Sequence, residues 1–389
     1  MVSRRLDPVP LDDFDIREPL GSGAMARVFE AIHKQSGKPV AIKLLDSSAR
    51  GSRELRERMA REALVLASLQ SPHVSRLLGY GWESEQPFLV LERLEGETLA
   101  DVLRREKRLP AARLVDWVEQ LLVGVRDCHR AGVIHRDIKP ANIFLERRAG
   151  GGAGEPIVKL IDFGVARLSE IASLGTSLTS THHLIGSVGY MAPEQLEYAK
   201  GVGPTADIYA VGVVIFRCVS GRLPFIGRSF EVLTKLKTEA TAPVLSSLPG
   251  VPPHPPLDDF LVRALSRDPR ERFENATAML EEWWRVAASL ERDAVLPEIE
   301  VVWDEDEWVN TMAESLAKSG SHPSHATTAT GPAGPSSTSL RAALVRNMVD
   351  DMEAATDPQM TRPSEGQLAI HDTAETADAT GPDPRRDDP

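Results

Sequence analysis

His135-Arg136-Asp137-Ile138-Lys139-Pro140-Ala141-Asn142, followed by Asp162-Phe163-Gly164, puts two carboxylates, a lysine and an amide into two short loops separated by an apolar stretch. Asp137 can accept a proton from a hydroxyl, Lys139 can neutralise a phosphoryl group in flight, and Asn142 with Asp162 can hold hard cations through oxygen. The texture of the chain differs on the two sides of these loops. Toward the N-terminus, Phe14 to about Leu45 alternates apolar and polar residues around Gly21-Ser22-Gly23 and Ser36-Gly37-Lys38-Pro39, which reads as a run of antiparallel strands. A helix is expected over Arg53 to Leu69, then strands over Arg76 to Gly81 and Pro87 to Glu92. After Gly96 the pattern is mainly helical, most clearly over Leu109 to Ala131, Thr205 to Ser220, Phe230 to Thr238, Leu257 to Ser266 and Asn275 to Leu290. A sheet-rich part before a helix-rich part implies an α+β chain of two lobes with a cleft between them.

Charge separates this body from the C-terminal stretch. Residues 295–389 hold 18 acidic and 6 basic side chains, which is the whole net charge of −12, and residues 1–294 hold 39 of each sign. A balanced body without a basic face is a poor match for nucleic acid. Cys128 and Cys218 lie in apolar helical contexts and read as reduced core residues of a cytoplasmic protein. The most apolar stretch, Ile208 to Phe216, is closed by Arg217 and is far shorter than the ~20 residues of a spanning helix, so no membrane span is expected. The basic N-terminus has no apolar run behind it and does not read as a signal peptide. The Gly-rich insert Arg148 to Pro156 separates two short strands as a surface loop. From Ser319 the chain is rich in Ser, Thr, Pro, Gly and Ala and is expected to be largely disordered, with Leu340 to Ala355 as a transient amphipathic helix.

Two further groups of residues bear on phosphate chemistry. Leu20-Gly21-Ser22-Gly23-Ala24-Met25-Ala26-Arg27-Val28 sits where a strand turns back, and its glycines let backbone N–H groups approach a triphosphate. In Val40-Ala41-Ile42-Lys43, a strand puts Ala41, Lys43 and Leu45 on one face, aiming an ammonium at one side of the β-rich lobe. Glu62 lies on the apolar stripe of its helix, seven and three residues after Leu55 and Met59, four and seven before Leu66 and Leu69. Isolated charges in such places are costly, and the simplest remedy is that Lys43 and Glu62 pair.

Taken with HRD and DFG in order, these stretches resemble the signature set of eukaryotic-type (Hanks-type) serine/threonine protein kinases of bacteria, over roughly residues 14–290. The resemblance implies a small lobe at 14–95, a large lobe at 96–290, an N-terminal extension at 1–13 and an acidic tail at 291–389. It implies ATP bound by Leu20, Gly21, Gly23, Val28 and Ala41, with Lys43 on the α- and β-phosphates and paired with Glu62. Leu91 is the implied gatekeeper, and the backbone of Glu92 and Leu94 meets the adenine edge. Asp137 is the implied base and orienter of the acceptor hydroxyl, with Lys139 beside it. The Asp-x-Lys-x-x-Asn spacing resembles serine/threonine rather than tyrosine kinases. Asp162 and Asn142 are the implied ligands of Mg²⁺, with Mn²⁺ as a substitute. Ala26 stands where the family has a third glycine, and Ser187 where it usually has threonine.

His135 and Phe163 are expected to pack between the lobes. Asp207 matches the family's buried anchor for the catalytic loop, and Glu194 of Ala192-Pro193-Glu194 is expected to pair with Arg272. Arg136 would seek a phosphate on the segment after Asp162, where Thr179 and Thr181 are candidates for autophosphorylation. Implied partners are proteins presenting Ser or Thr hydroxyls. The tail is expected to serve mainly as a solubilising linker, with docking of a partner protein or inhibition in cis as alternatives. A pseudokinase scaffold that binds nucleotide without transfer is the competing reading. Lys43, Asp137 and Asp162, the residues such scaffolds usually lose, are all present. The Ala-Pro-Glu segment favours a protein acceptor over a small molecule.

Overall fold

Alternation from Phe14 onward produces three antiparallel strands, β1 (Phe14–Ser22), β2 (Ala26–His33) and β3 (Pro39–Leu45). With β4 (Leu77–Glu83) and β5 (Gln86–Glu92) they form a sheet of order β1-β2-β3-β5-β4. The computed structural model describes residues 7–22, 26–45, 63–83, 86–148, 155–162, 187–197, 202–227 and 229–290. All of these belong to the first of two units, Met1–Thr328, the second being Ala329–Pro389. Glu62, Gly23, Phe163, Thr179, Thr181 and the tail from residue 291 lie outside the described residues.

Register decides which side chains share a face. β2 sets Val28 opposite Lys43, and β3 sets Lys43 opposite Leu89 and Ala41 opposite Leu91. Directly opposed residues point the same way, so Val28, Ala41, Lys43 and Leu91 lie on one side of the sheet. That side also carries Ala26, Leu45, Leu77, Tyr80 and Leu89, packed with Ala63 of a helical stretch at residues 63–68. The opposite side buries Phe14, Ala31, Val40, Ile42, Phe88 and Val90, joined by Val9 and Leu11. Val9 N–H donates to Tyr80 O at 2.8 Å, so the lobe gathers in residues from the expected extension as well. Ala26, the residue in place of a glycine, is 8% exposed and packs in the cluster on the Lys43 side.

The larger part contains β6 (Gly96–Thr98), α1 (Leu99–Glu106), α2 (Ala111–Arg130), β7 (Ile143–Glu146), β8 (Ile157–Leu160), α3 (Pro193–Glu197), α4 (Thr205–Ser220), α5 (Phe230–Glu239), α6 (Pro255–Ala264) and α7 (Ala276–Ser289). Strands β6, β7 and β8 form a second small sheet. Apart from Thr205 and Arg217, every residue of α4 is buried, as its nearly continuous apolar run requires. It ends at Gly221, whose φ of 78° is the left-handed cap that glycine adopts without strain. Helix α2 passes so close to the chain before β4 that a methyl at Gly124 would lie 2.7 Å from His73 O. Trp283 of α7 is fully buried and donates Nε1–H to Val115 O of α2 at 3.3 Å.

Caps account for the shifts from the expected bounds. Helix α6 starts two residues before Leu257, because the His254 side chain accepts from Leu257 N–H and Pro255 fills a first-turn position that needs no N–H. Helix α1 follows a capping box in which Thr98 and Asp101 satisfy each other's backbone donors. Cys128 and Cys218 are buried free thiols, and burial pushes both up, Cys218 to about 12. Among the described residues no helix is long and apolar enough to cross a membrane.

Candidate active site

The loop at residues 135–142 is hung from one buried carboxylate. Asp207, in the first turn of α4 and 1% exposed, accepts backbone N–H bonds from His135 and Arg136, both at 2.8 Å. Its Oδ2 also meets His129 Nε2 at 2.9 Å, from the last turn of α2. These bonds hold Arg136 at φ 61°, a conformation that costs a non-glycine residue about 1–2 kcal/mol. Gln195 Nε2 adds a bond to Arg136 O at 3.0 Å, so the strained turn is held from both sides. His135 is thereby turned inward, with Nε2 at 3.0 Å from Ile161 O and Nδ1 at 3.3 Å from Asp137 N. A carbonyl can only accept and an amide N–H can only donate, so the neutral tautomer protonated on Nε2 satisfies both.

Asp137 emerges from this turn with its carboxylate already oriented. Asn142 Nδ2 donates to Asp137 O at 2.8 Å and to Oδ2 at 3.0 Å. Lys139 Nζ donates to the same Oδ2 at 2.9 Å and to Ser187 Oγ at 3.1 Å. Asp137, Lys139, Asn142 and Ser187 are thus one hydrogen-bonded group. Pro140 opens the short 3-10 turn that brings Asn142 back beneath Asp137.

Asp162 follows directly on this group, since Ile161 N–H donates to Asn142 O at 2.9 Å, and Lys43 reaches it from the sheet. Its Nζ lies 2.8 Å from Asp162 Oδ1, the side chains being 15% and 36% exposed. Glu62, its expected partner, is outside the described residues, and the carboxylate seen on Lys43 is Asp162. Asp162 also has a positive φ, 59°, which Asp tolerates better than most residues. The donor set of Asp162 and Asn142 suits a hard divalent cation, because the amide nitrogen of Asn142 is engaged by Asp137 and its amide oxygen is the atom that could coordinate. Among the described residues no group of three or more His, Cys, Asp or Glu could hold a metal unaided. That is the usual situation for Mg²⁺, whose shell is completed by water and substrate phosphates.

Other expected nucleotide residues lie along β1, β2 and the end of β5. Gly21 pairs with Val28 across β1 and β2, Leu20 is exposed beside it, and Leu94 is 8% exposed just after the end of β5. Glu92 N–H is taken by Arg76 O at 3.0 Å, so its backbone can offer a purine only its carbonyl. The Glu92 side chain accepts from Arg76 N–H at 2.9 Å and from Lys159 Nζ at 2.7 Å, fixing the connection between the lobes.

Below the site, Arg272 is completely buried and uses all five N–H donors. Two form a fork on Glu194 at 2.7 and 2.8 Å, the expected pair, and three reach the carbonyls of Thr205, Ser266 and Arg267. Sequence reasoning missed His129, Gln195, Lys159 and Lys237. Lys237 carried a readable signal, a charge on the apolar stripe of Leu233 and Leu236. Burial pushes its ammonium down to about 7.

Comparison with known proteins agrees with this geometry. Residues 14–284 match the family described as Protein kinase domain. Serine/threonine-protein kinase PknL of Mycobacterium tuberculosis is 31% identical over 287 residues, 74% of this chain and 67% of PknL. Serine/threonine-protein kinase pkn2 of Myxococcus xanthus is 35% identical over 274 residues, 69% of this chain but 32% of that protein. The solved structure of Rad53 1-466 in complex with AMP-PNP aligns with a TM-score of 0.55 and 27% identity, covering 70% of this chain and 65% of that one. The kinase domain of Mycobacterium tuberculosis PknI, at 24% identity and a TM-score of 0.55, shares the fold over 72% of this chain and 97% of its own. The chain thus spans about a third of pkn2 and two thirds of PknL. It belongs to the protein kinase family, among the Hanks-type serine/threonine kinases of bacteria.

Proposed function

We propose that this chain transfers the γ-phosphoryl group of ATP to serine and threonine hydroxyls of proteins, with Mg²⁺ bound at Asp162 and Asn142. The observation that carries the reading is the Lys43–Asp162 pair set next to the Asp137–Lys139–Asn142 group, the two stretches being joined by Ile161 N–H donating to Asn142 O at 2.9 Å. In this reading Lys43 binds the α- and β-phosphates, and Asp137 orients the acceptor hydroxyl and takes its proton. Lys139 offsets the charge on the phosphoryl group in transit. When bound, Mg²⁺ would supply positive charge to the phosphate oxygens. Because this chemistry is chiefly positioning and charge stabilisation, the fixed hydrogen bonds around Asp137 matter as much as its basicity. AMP-PNP in the Rad53 structure supports ATP as the phosphoryl donor. No observation favours a scaffold that binds nucleotide without transfer.

Activation by autophosphorylation at Thr179 and Thr181 belongs to the same reading. Arg136 sends Nη2 to Val202 O at 3.5 Å, and its Nε is buried without a partner among the described residues. A guanidinium beside the catalytic carboxylate suits a phosphate arriving on the following segment. The buried thiols of Cys128 and Cys218 fit a reducing compartment, and we place the activity in the cytoplasm.

Incubation of the full chain with labelled ATP and Mg²⁺, alone and with a basic acceptor protein, is expected to give phosphoserine or phosphothreonine. Phosphopeptide mapping should find label on Thr179 and Thr181 in the wild type and on neither in Asp137→Asn. No label with Mg²⁺ or Mn²⁺ would refute the kinase reading. Label that avoids both threonines would refute only the activation sites.

A further inference from the structure

Lys237 is 1% exposed on the inner stripe of α5, a position at which an apolar side chain would be the ordinary choice. Its Nζ donates to Gly189 O at 2.7 Å and Met191 O at 2.8 Å, and lies 3.5 Å from Tyr209 Oη. It also lies 4.9 and 5.8 Å from the ring centres of Tyr209 and Phe225. The nearby charges are Arg272, whose guanidinium stacks over Tyr209 at 4.9 Å, and its partner Glu194. Taking an ammonium out of water costs several kcal/mol, and among the described residues no carboxylate bonds directly to this one. What the arrangement secures is two backbone carbonyls.

Both carbonyls belong to the five residues from Ser187 to Met191. The far end of that segment is held by Lys139, which joins Ser187 Oγ to the Asp137 carboxylate. Two lysines therefore clamp one short peptide, one to the catalytic carboxylate and the other to α5 and α4. Ser187, joined through Lys139 to the Asp137 carboxylate, sets this peptide beside the place where an acceptor hydroxyl would lie, so the acceptor's own chain would pass along it. ATP phosphates, by contrast, are expected on the far side, at Lys43. The ordering of residues 187–191 should therefore bear on the acceptor and leave the nucleotide untouched.

We propose that Lys237 is a positioning residue for the protein acceptor, holding the carbonyls of Gly189 and Met191 so that the wall beside Asp137 is preformed. This rests on the protein kinase reading above. In the full chain, Lys237→Met keeps the length and apolar stem but removes every donor. Steady-state rates with ATP and myelin basic protein varied independently, and acceptor-free ATP hydrolysis, separate the possibilities. The expected result is an acceptor KM raised about tenfold or more, the effect of about 1.4 kcal/mol of lost preorganisation. The KM for ATP and the acceptor-free hydrolysis should stay within about twofold of wild type. Lys237→Gln, which keeps N–H donors on a shorter neutral arm, should fall between the two, and it decides by the same criteria if Lys237→Met does not fold. An acceptor KM unchanged within twofold, or an equal loss of hydrolysis and transfer, would overturn the proposal. Wild-type protein that labels no acceptor would instead overturn the kinase reading itself.

Discussion

Asp137→Asn should lower phosphoryl transfer by about 10²–10⁴-fold while leaving the fold intact. The substitution keeps an oxygen where Lys139 Nζ and Asn142 Nδ2 now donate, at 2.9 and 3.0 Å, so the loop retains its hydrogen bonds. What disappears is the negative charge that orients the acceptor hydroxyl and receives its proton. The thermal midpoint should consequently change little, and the binding of nucleotide, which is assigned to Lys43 and Asp162, should persist. Initial rates of label transfer and a thermal melt on the same preparation test both halves. Activity above a tenth of wild type would show that Asp137 is not the residue facing the acceptor.

The second large effect is structural in origin and catalytic in outcome. Asp207→Asn should destabilise the protein by about 3 kcal/mol and reduce transfer about a hundredfold. The wild-type carboxylate serves His135 N–H, Arg136 N–H and His129 Nε2 with two oxygens, all within 2.9 Å. An amide offers one oxygen and turns an NH₂ toward a donor, leaving at least one buried N–H unsatisfied. Arg136 then loses part of what keeps it at φ 61°, and Asp137 loses its fixed position. Urea midpoints and initial rates are the measurements. A variant with wild-type values for both would show that the loop is held by something other than this carboxylate.

Much of the fold was legible because its signals are local. The stripes of α2 and α7 follow helical periodicity, α4 shows as a nearly continuous apolar run, and the face of β3 that carries Lys43 follows from alternation alone. The loops around Asp137 and Asp162 were legible for a different reason, the improbability of so many phosphate-handling residues at those spacings. Helix α1 was harder, since it is eight residues long with only Leu99, Val102 and Leu103 buried. Asn142's grip on Asp137, His129 on Asp207, Gln195 on Arg136 O and Lys159 on Glu92 have no local signature. The last three of these contacts join residues 78, 59 and 67 positions apart, and only the packed structure brings them together. A charge on an apolar stripe demands a partner, and Lys237 stands in that position as much as Glu62 does. Its partners are carbonyl oxygens, which leave no trace in a sequence.

That choice of partners has a consequence for proton binding. An unfolded lysine keeps its proton to about 10.4, whereas burial pushes Lys237 down to about 7 in the folded chain. Between those two values the unfolded chain holds one more proton from this residue than the folded chain does. Its contribution to stability therefore rises with pH across that window and is flat below it. Denaturation midpoints from pH 7 to 10 should climb less steeply in Lys237→Met than in wild type. In acid and neutral water the folded protein carries this charge as a standing penalty. The clamp on residues 187–191 is a place where stability has been yielded to geometry.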